Sequence, residues 1–409
     1  MTFKVGGWLP YWQYAAGLTE IEKNKDIFGD ILLFDWECHS DSTVKTNWYD
    51  PVPVARLKAT GLPYWVTFTS AMTGAEAADL FDNVAKSQTL INNMINVAKS
   101  VNAVGLDLDF ESINFKHSGN SATRLKANYP KFIALLKKSA GTLKVSTTIP
   151  ARVSDTDPDW AVYDYAAIGK VSDIVRIMSY DYHTGSDSVG PVSPLPWYTK
   201  VQTYAKSRIP AVKLQMGIPA YGYNWPSGKT VNAREADALA KSNGKKVIYD
   251  IVNAEGTFSY NGNTVWVATS IGMATRAVTS KNSSISGVAI WSIGDEASDA
   301  FTLIRKAINP APPAPKPTPV PTPKPVIKTV SVALVQPGKK NDQVTVVQSA
   351  LHRAGFYSGG ATGIFDTNTV KAYSKFQQSL GYKGTDADGS PGITSLTALG
   401  NKYGFKVTK

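Results

Sequence analysis

AVGLDLDFE, at residues 103–111, places a carboxylate at every second position of an apolar segment. Side chains alternate between the two faces of an extended strand, so Asp107, Asp109 and Glu111 share one face and apolar residues take the other. The apolar residues before the carboxylates favour a buried parallel strand over a solvated edge strand. Three carboxylates crowded on a buried strand predict a site where protons are shared and transferred.

Apolar runs resembling strands recur on both sides of this stretch, and amphipathic helical segments lie between several of them. The runs are 5–9, 30–36, 63–69, 103–109, 143–149, 173–179, 213–219 and 287–292. Strands that alternate with helices build a parallel sheet, so eight of them predict an α/β fold, a (β/α)8 TIM barrel. One helical segment, 122–140, contains Pro130, where such a helix would break.

The interval 221–286, between the last two runs, is about twice as long as the other intervals. It contains short β-like pieces at 246–250, 257–260 and 264–268. We therefore predict a small insertion between strands 7 and 8, beside the mouth of the barrel.

Aromatic and polar residues stand at most of the predicted strand ends, which is where barrels of this kind carry their chemistry. Pyranose rings stack on aromatic side chains through their C–H edges, so such a rim predicts sugar subsites. Glu37, at the end of the second strand, is a second candidate acid after Glu111. The predicted substrate-binding residues are Trp8, Met178, Tyr221 and Trp291.

Four segments in the same order resemble glycoside hydrolase family 18, the chitinase and endo-β-N-acetylglucosaminidase family. Residues 104–111 resemble its D-G-x-D-x-D-x-E signature, with Val104 at the outermost acidic position. MSYD at 178–181 resembles the M-x-Y-D motif, GIPAYG at 217–222 resembles G-x-P-x-Y-G, and GVAIW at 287–291 resembles the segment that ends in the tryptophan beneath the substrate.

The resemblance implies a retaining mechanism in which the substrate's own 2-acetamido group attacks the anomeric carbon. It implies no cofactor and no metal. The resemblance implies that Glu111 is the acid, that Asp109 holds the acetamide and that Asp107 shares a proton with Asp109. It also implies that Tyr180 and Asp181 position the acetamide. Trp291 would form the floor of the −1 subsite.

Past the expected catalytic barrel at 1–308, the composition changes. Residues 309–328 form a Pro-rich linker, since nine prolines in 310–325 favour an extended polyproline II spacer. Residues 329–409 show helical spacing at Val344, Val347, Gln348 and Leu351 and again across 368–380. This pattern resembles the three-helix peptidoglycan-binding domain, with departures at Val347, Asp366, Tyr373 and Ser395.

Composition and charge limit the kinds of site and of partner that this chain can have. The single cysteine, Cys38, excludes an intrachain disulfide. The sequence contains no run of about 20 apolar residues, so membrane insertion is not predicted. The net charge is +11, of which residues 310–409 supply +8 from twelve basic and four acidic residues. That excess fits an anionic partner such as a cell-wall polymer, a membrane surface or nucleic acid, but the charge alone is better explained as ordinary solubility charge. No nucleic-acid partner is expected, and we expect a monomer.

The N-terminal residues lack a basic segment followed by an apolar run. We therefore expect synthesis in the cytoplasm without a signal peptide and action on the bacterial cell wall after release, through a holin if the protein is phage-encoded. The function predicted is that of a peptidoglycan endo-β-N-acetylglucosaminidase, a phage endolysin. The alternatives are a chitinase and a non-catalytic chitinase-like sugar-binding protein; the latter usually lacks the terminal glutamate, which is present here as Glu111.

Overall fold

The computed structural model describes residues 3–47, 51–156, 161–309 and 328–409. The described residues form two compact units, one within Met1–Pro312 and the other within Pro313–Lys409. Most of the predicted linker at 309–328, namely residues 310–327, lies outside the described residues. Within the described ranges, no helix is both long enough and apolar enough to cross a membrane.

The first unit alternates strands and helices along most of its length. Its strands are β1 (Lys4–Pro10), β2 (Phe28–Cys38), β3 (Val44–Thr46), β4 (Tyr64–Ser70), β5 (Gly105–Asp109), β6 (Lys144–Pro150), β7 (Ile174–Met178), β8 (Leu214–Pro219), β9 (Tyr221–Trp225), β10 (Lys229–Asn232), β11 (Ile248–Asp250), β12 (Glu255–Tyr260), β13 (Asn263–Val267) and β14 (Gly287–Trp291).

Eight of these strands close into a parallel barrel, as the sequence predicted. The order around the barrel is β1, β2, β4, β5, β6, β7, β8 and β14, and β14 pairs in parallel with β1. Each of the eight predicted apolar runs coincides with one of these strands, whose residues are almost all buried. Burial on both faces explains why the runs are nearly continuous in apolar residues.

The helices of this unit follow most of the barrel strands in the chain. They are α1 (Tyr14–Lys23), α2 (Pro51–Thr60), α3 (Gly74–Asp82), α4 (Val84–Ser100), α5 (Ser121–Ser139), α6 (Tyr165–Val171), α7 (Leu195–Arg208), α8 (Ala233–Ser242), α9 (Ser270–Asn282) and α10 (Ala300–Ile308).

The expected break at Pro130 is wrong, because α5 continues through it. Proline removes one helical hydrogen bond and crowds the preceding turn. Tyr129, Phe132 and Leu136 on the same helix are buried in the barrel core. This packing outweighs the local penalty, since helices in proteins are stabilised mainly by the apolar face that they bury.

The predicted insertion between the last two barrel strands is an antiparallel five-stranded sheet, in the order β10-β9-β13-β12-β11. Only Ala220 separates β8 from β9, so the inserted sheet continues directly from the carboxyl end of a barrel strand. The sequence predicted parts of β11, β12 and β13 but not β9 or β10.

The second unit contains the three predicted helices, α11 (Asp342–Arg353), α12 (Thr367–Ser379) and α13 (Ile393–Tyr403). Two short parallel strands that were not predicted, β15 (Lys328–Ser331) and β16 (Phe405–Thr408), pair the ends of the unit. The motif glutamines are buried: Gln348 accepts a hydrogen bond from the Gly363 N–H at 2.9 Å, and Gln377 accepts one from the Gly389 N–H at 2.7 Å.

Candidate active site

β5 leads the three carboxylates from the interior of the barrel to its mouth. Asp107 is fully buried, Asp109 is 5% exposed, and Glu111, just past the strand, is open to solvent. Glycine is needed at Gly105, because a Cβ there would lie 2.5 Å from the Trp65 ring. The predicted alternation therefore places three carboxyl groups in a row, with Asp107 deepest in the barrel, Asp109 next and Glu111 at the mouth. We call this row the ladder.

Asp107 is held by hydrogen-bond donors on both of its oxygens. The Trp8 indole N–H and the Thr67 hydroxyl donate to Oδ2 at 3.2 and 3.1 Å. The Ser146 hydroxyl donates to Oδ1 at 2.5 Å, and the Thr148 hydroxyl lies 3.1 and 3.2 Å from the two oxygens. These contacts fix the orientation of the carboxyl group at the base of the ladder.

Arg176, on β7, is a residue of the site that sequence reasoning missed. Its fully buried guanidinium donates to Asp107 Oδ1 at 3.2 Å, to Asp30 Oδ2 at 3.3 Å and to Gln215 Oε1 at 3.0 Å. The available signal was an arginine inside the apolar run IVRIM at 174–178. A charge in such a strand requires buried partners of opposite charge.

Asp109 has a pKa well above its ordinary value. Burial is the largest cause, followed by the negative charges of Glu111 and Asp107. Its Oδ1 atom is buried and has no hydrogen-bond partner within the part of the chain that the structure describes. Both the burial and the neighbouring negative charges favour the protonated form of this carboxyl group.

The surroundings of Glu111 raise its pKa to about 7, mainly through removal from water and secondly through the charge of Asp181. The side chain is nevertheless reached by solvent from the mouth, so it lies in a recess and not in the core. A carboxyl group that titrates near neutral pH can donate its proton and later take one back, as general acid–base catalysis requires.

Two residues after β7 complete the polar part of the site. Burial raises the pKa of Tyr180 well above its ordinary value, so the phenol remains a hydrogen-bond donor. Its ring packs over Gly217, where a Cβ would lie 2.7 Å from a ring carbon. Asp181 has a left-handed backbone (φ 58°) and accepts hydrogen bonds from Tyr221 and Tyr223 at 2.6 and 3.0 Å.

These groups line a cavity of about 300 Å³ at the mouth of the barrel. Seven of the nine predicted site residues line it, while Asp107 lies beneath it and Tyr221 lines a neighbouring recess. Trp197, on α7, was missed because it follows a long loop and not a strand end. The full lining is Trp8, Asp109, Glu111, Thr148, Pro150, Ala151, Met178, Tyr180, Asp181, Trp197 and Trp291.

The neighbouring recess, of about 410 Å³, shares Asp181 and Trp291 with this cavity. The inserted sheet contributes part of its wall, including Tyr223 and Thr230, and Trp12 from the loop after β1 contributes another part. The two recesses are neighbours through the shared Asp181 and Trp291. The insertion is therefore a wall of the site.

Glu37, the second candidate acid, does not line the cavity. Its Oε1 lies 3.1 Å from Nε2 of His39, so the structure does not bring this candidate acid into the site. The β2–β3 hairpin explains the difference, since Glu37 belongs to the antiparallel pairing with Lys45. The described residues contain no group of three or more His, Cys, Asp or Glu side chains that could hold a metal ion.

Comparison with protein families gives two matches. Residues 66–296 match the model of glycosyl hydrolases family 18, and residues 340–399 match that of a peptidoglycan-binding domain. The first match covers more than half of the chain, and the chain belongs to glycosyl hydrolase family 18.

Curated relatives include two Bacillus proteins. The chain is 29% identical over 247 residues to the uncharacterized glycosylase YvbX of Bacillus subtilis, covering 57% of this chain and 70% of the relative. It is 26% identical over 286 residues to the cortical fragment-lytic enzyme of Bacillus anthracis, covering 64% of each. The chain thus spans about two thirds of the length of these relatives.

Solved structures share the fold. The chitinase from Chromobacterium violaceum superposes with a TM-score of 0.68 at 22% identity, over 75% of this chain and 99% of that one. The spore cortex-lytic enzyme SleL of Bacillus cereus gives 0.66 at 21% identity, over 75% and 74%. Both confirm the (β/α)8 barrel.

Proposed function

We propose that this member of glycosyl hydrolase family 18 hydrolyses cell-wall peptidoglycan after N-acetylglucosamine, as a retaining endo-β-N-acetylglucosaminidase. The observation that carries the chemistry is the ladder on β5, where Glu111, with a pKa raised to about 7, opens into the cavity above Asp109. When two carboxyl groups in one cleft differ in protonation, one can act as the acid and the other can stabilise the reacting group.

Glu111 donates a proton to the glycosidic oxygen as the bond to the leaving sugar breaks. Asp109 is a poor nucleophile because burial and the charges of Glu111 and Asp107 raise its pKa and so favour its neutral form. The attacking group is then the carbonyl oxygen of the substrate's 2-acetamido group, the substrate-assisted route. Water later opens the cyclic intermediate, with Glu111 as the base, and the configuration is retained.

The remaining side chains hold the −1 sugar. Tyr180 keeps its phenolic proton and can donate a hydrogen bond to the acetamido oxygen. Asp109 and Asp181 position the acetamide from either side. Trp291 forms an aromatic floor, fixed by ring contacts with Trp8 and Phe34 at centroid distances of 6.0 and 4.9 Å.

The choice of peptidoglycan rests on the second unit and on the relatives. Residues 340–399 match a peptidoglycan-binding domain, and one relative is named a cortical fragment-lytic enzyme. Chitin is the second candidate, because other relatives are named chitinases and the acetamido sugar is the same. The expectation of a phage endolysin stays a prediction, as do release through a holin and the monomeric state.

Removing residues 310–409 tests the contribution of the second unit. A domain that holds the barrel near a bound polymer raises its effective concentration there but does nothing for a small soluble substrate. We expect truncation after Asn309 to reduce the rate of lysis of intact walls by at least about tenfold. Hydrolysis of short N-acetylglucosamine oligomers should stay within about twofold of the full chain and serves as the control.

Lysis of intact walls at the full rate by the truncated protein would contradict the wall-targeting role. Binding provides an independent measurement, in which the full chain and the truncated chain are sedimented with purified peptidoglycan or with chitin. If residues 310–409 increased pelleting with chitin alone, the chitinase would replace the peptidoglycan hydrolase as the proposed function.

A further inference from the structure

The loop between β7 and α7, residues 179–194, brings Tyr180 and Asp181 into the cavity and is tied to the inserted sheet near its other end. Glu255, the first residue of β12, is fully buried and accepts hydrogen bonds from two backbone N–H groups of this loop. The Val192 N–H donates to Oε2 at 2.9 Å, and the Ser193 N–H donates to Oε1 at 2.5 Å. One carboxyl group of the insertion therefore holds two successive residues of the loop.

Arg276, on α9, holds Glu255 in this position. Its fully buried guanidinium lies 3.1 Å from Glu255 Oε1 and donates to both the hydroxyl and the carbonyl oxygen of Ser193. It also donates to the carbonyl oxygens of Asn253 and Ala254, at 3.1 and 2.9 Å. A buried polar network whose members have partners is rigid, because breaking any one contact leaves a buried group unpaired. The insertion, α9 and the loop share one such network.

Val192 connects this network to the polar part of the site. Its side chain is fully buried and packs in one apolar cluster with the rings of Tyr180 and Tyr221. Its carbonyl oxygen accepts a hydrogen bond from the Tyr182 N–H at 2.8 Å. Tyr180 and Tyr182 are the chain neighbours of Asp181, which has a left-handed backbone (φ 58°). Val192 therefore holds both neighbours of Asp181, one by packing and the other by a hydrogen bond.

We infer that Glu255 is a positioning residue for Tyr180 and Asp181, and that it acts on them through Val192. The inference rests on the proposed function, in which Tyr180 and Asp181 orient the acetamido group for its attack on the anomeric carbon. A displacement of about 1 Å in such groups can cost about 10²-fold in rate, even when its cause lies away from the reacting atoms. The inserted sheet then contributes to turnover as well as to the wall of the site.

The kinetics of Glu255→Gln on a soluble N-acetylglucosamine oligomer test this role. The amide nitrogen of glutamine donates hydrogen bonds and does not accept them, so at least one of the backbone N–H groups of Val192 and Ser193 loses its acceptor. We expect kcat to fall by about 10- to 100-fold while KM stays within about threefold, because orientation of the attacking group is lost and binding of the oligomer is largely kept. An unchanged kcat in the folded variant would overturn the inference.

A double-mutant cycle with Tyr180→Phe separates positioning from a general structural role. The phenylalanine keeps the ring but removes the hydroxyl that Glu255 is inferred to position, so Glu255→Gln should have less left to disturb. We expect the further loss of kcat in the Tyr180→Phe background to be at least about threefold smaller than in the unaltered chain. Independent sites give effects that multiply, and a full loss in that background would overturn the inference.

Gln202→Met is the matched control, because Gln202 is also buried, at 3% exposure, and joins α7 to α9 by donating to the Ser280 hydroxyl at 3.0 Å. Its loss should lower the melting temperature and leave kcat within about twofold of the unaltered chain. A fall in kcat as large as that of Glu255→Gln would show that loss of any buried polar contact in this region has the same effect, and the inference would be wrong.

Val192→Ala keeps the inference testable if Glu255→Gln does not fold. It preserves the ion pair of Glu255 with Arg276 and removes the apolar contact with Tyr180. We expect kcat to fall by about three- to tenfold with KM nearly unchanged. A folded Val192→Ala variant with the original kcat would overturn the inference, since the connection would then not pass through this side chain.

Backbone hydrogen exchange across residues 179–193, followed by mass spectrometry, gives a measurement that needs no turnover. We expect exchange in this segment to be at least about tenfold faster in Glu255→Gln, or in Val192→Ala if the first variant does not fold, and unchanged in Gln202→Met. Exchange at the original rate would overturn the inference. The proposed hydrolysis is judged separately, by whether the unaltered chain cleaves the oligomer, so either can fail while the other stands.

Discussion

Replacing Glu111 with glutamine should lower kcat on soluble N-acetylglucosamine oligomers by about 10²–10⁴-fold. The amide keeps the shape of the side chain but has no proton of suitable acidity for the leaving oxygen. Because Glu111 is open to the cavity and makes no ion pair with any residue that the structure describes, the variant should fold normally. Kinetic assays at the optimum pH, together with circular dichroism, measure both expectations.

Glu37→Gln is the matched control for this substitution, since Glu37 lies near the carboxyl end of barrel strand β2 but does not line the cavity. Its kcat should stay within about twofold of the unaltered protein. Activity near the original level in Glu111→Gln, or a large loss in Glu37→Gln, would show that the acid has been assigned to the wrong carboxyl group.

Removing the N-acetyl group from the −1 sugar should abolish cleavage almost completely, because the attacking oxygen belongs to that group. A substrate with a free amine at this position lacks the attacking oxygen and also the acetamide contacts of Tyr180, Asp109 and Asp181, so the loss measures the acetamido group as a whole. We expect the rate on such a sugar to fall by at least about 10³-fold, on the order of 4 kcal/mol in the activation barrier.

A thiazoline mimic of the cyclised intermediate tests the same step by binding. It should inhibit competitively and far more tightly than the product sugar, as ligands that resemble the transition state do. Efficient cleavage of the deacetylated sugar, with no inhibition by the thiazoline, would instead require a protein nucleophile. Asp109 would then be the group to examine.

The barrel could be predicted because each of its strands and helices is specified by a short, continuous stretch of sequence. Each strand is a short apolar run, and the runs alternate with helical segments in a regular order. The residues at strand ends followed from the barrel, since its geometry brings all carboxyl ends to one mouth. Asp109, Glu111, Tyr180 and Trp291 were found in this way and do line one cavity.

What could not be predicted depends on contacts between distant parts of the chain. Arg176 and Asp30 are 146 residues apart, and nothing in either segment identifies the other as its partner. Likewise β15 and β16 lie at opposite ends of the second unit, and each is only four residues long. The predicted break at Pro130 was wrong for a related reason. Packing of the neighbouring side chains against the core, and not the proline itself, determined that the helix continues.

Mass spectrometry of the fragments released from purified peptidoglycan, after borohydride reduction, tests the central claim most directly. Reduction marks the sugar at each newly formed reducing end, and a parallel digest of chitin gives the comparison. We expect soluble muropeptides that end in reduced N-acetylglucosamine. Fragments that end in reduced N-acetylmuramic acid, or release of sugars from chitin with none from peptidoglycan, would contradict it.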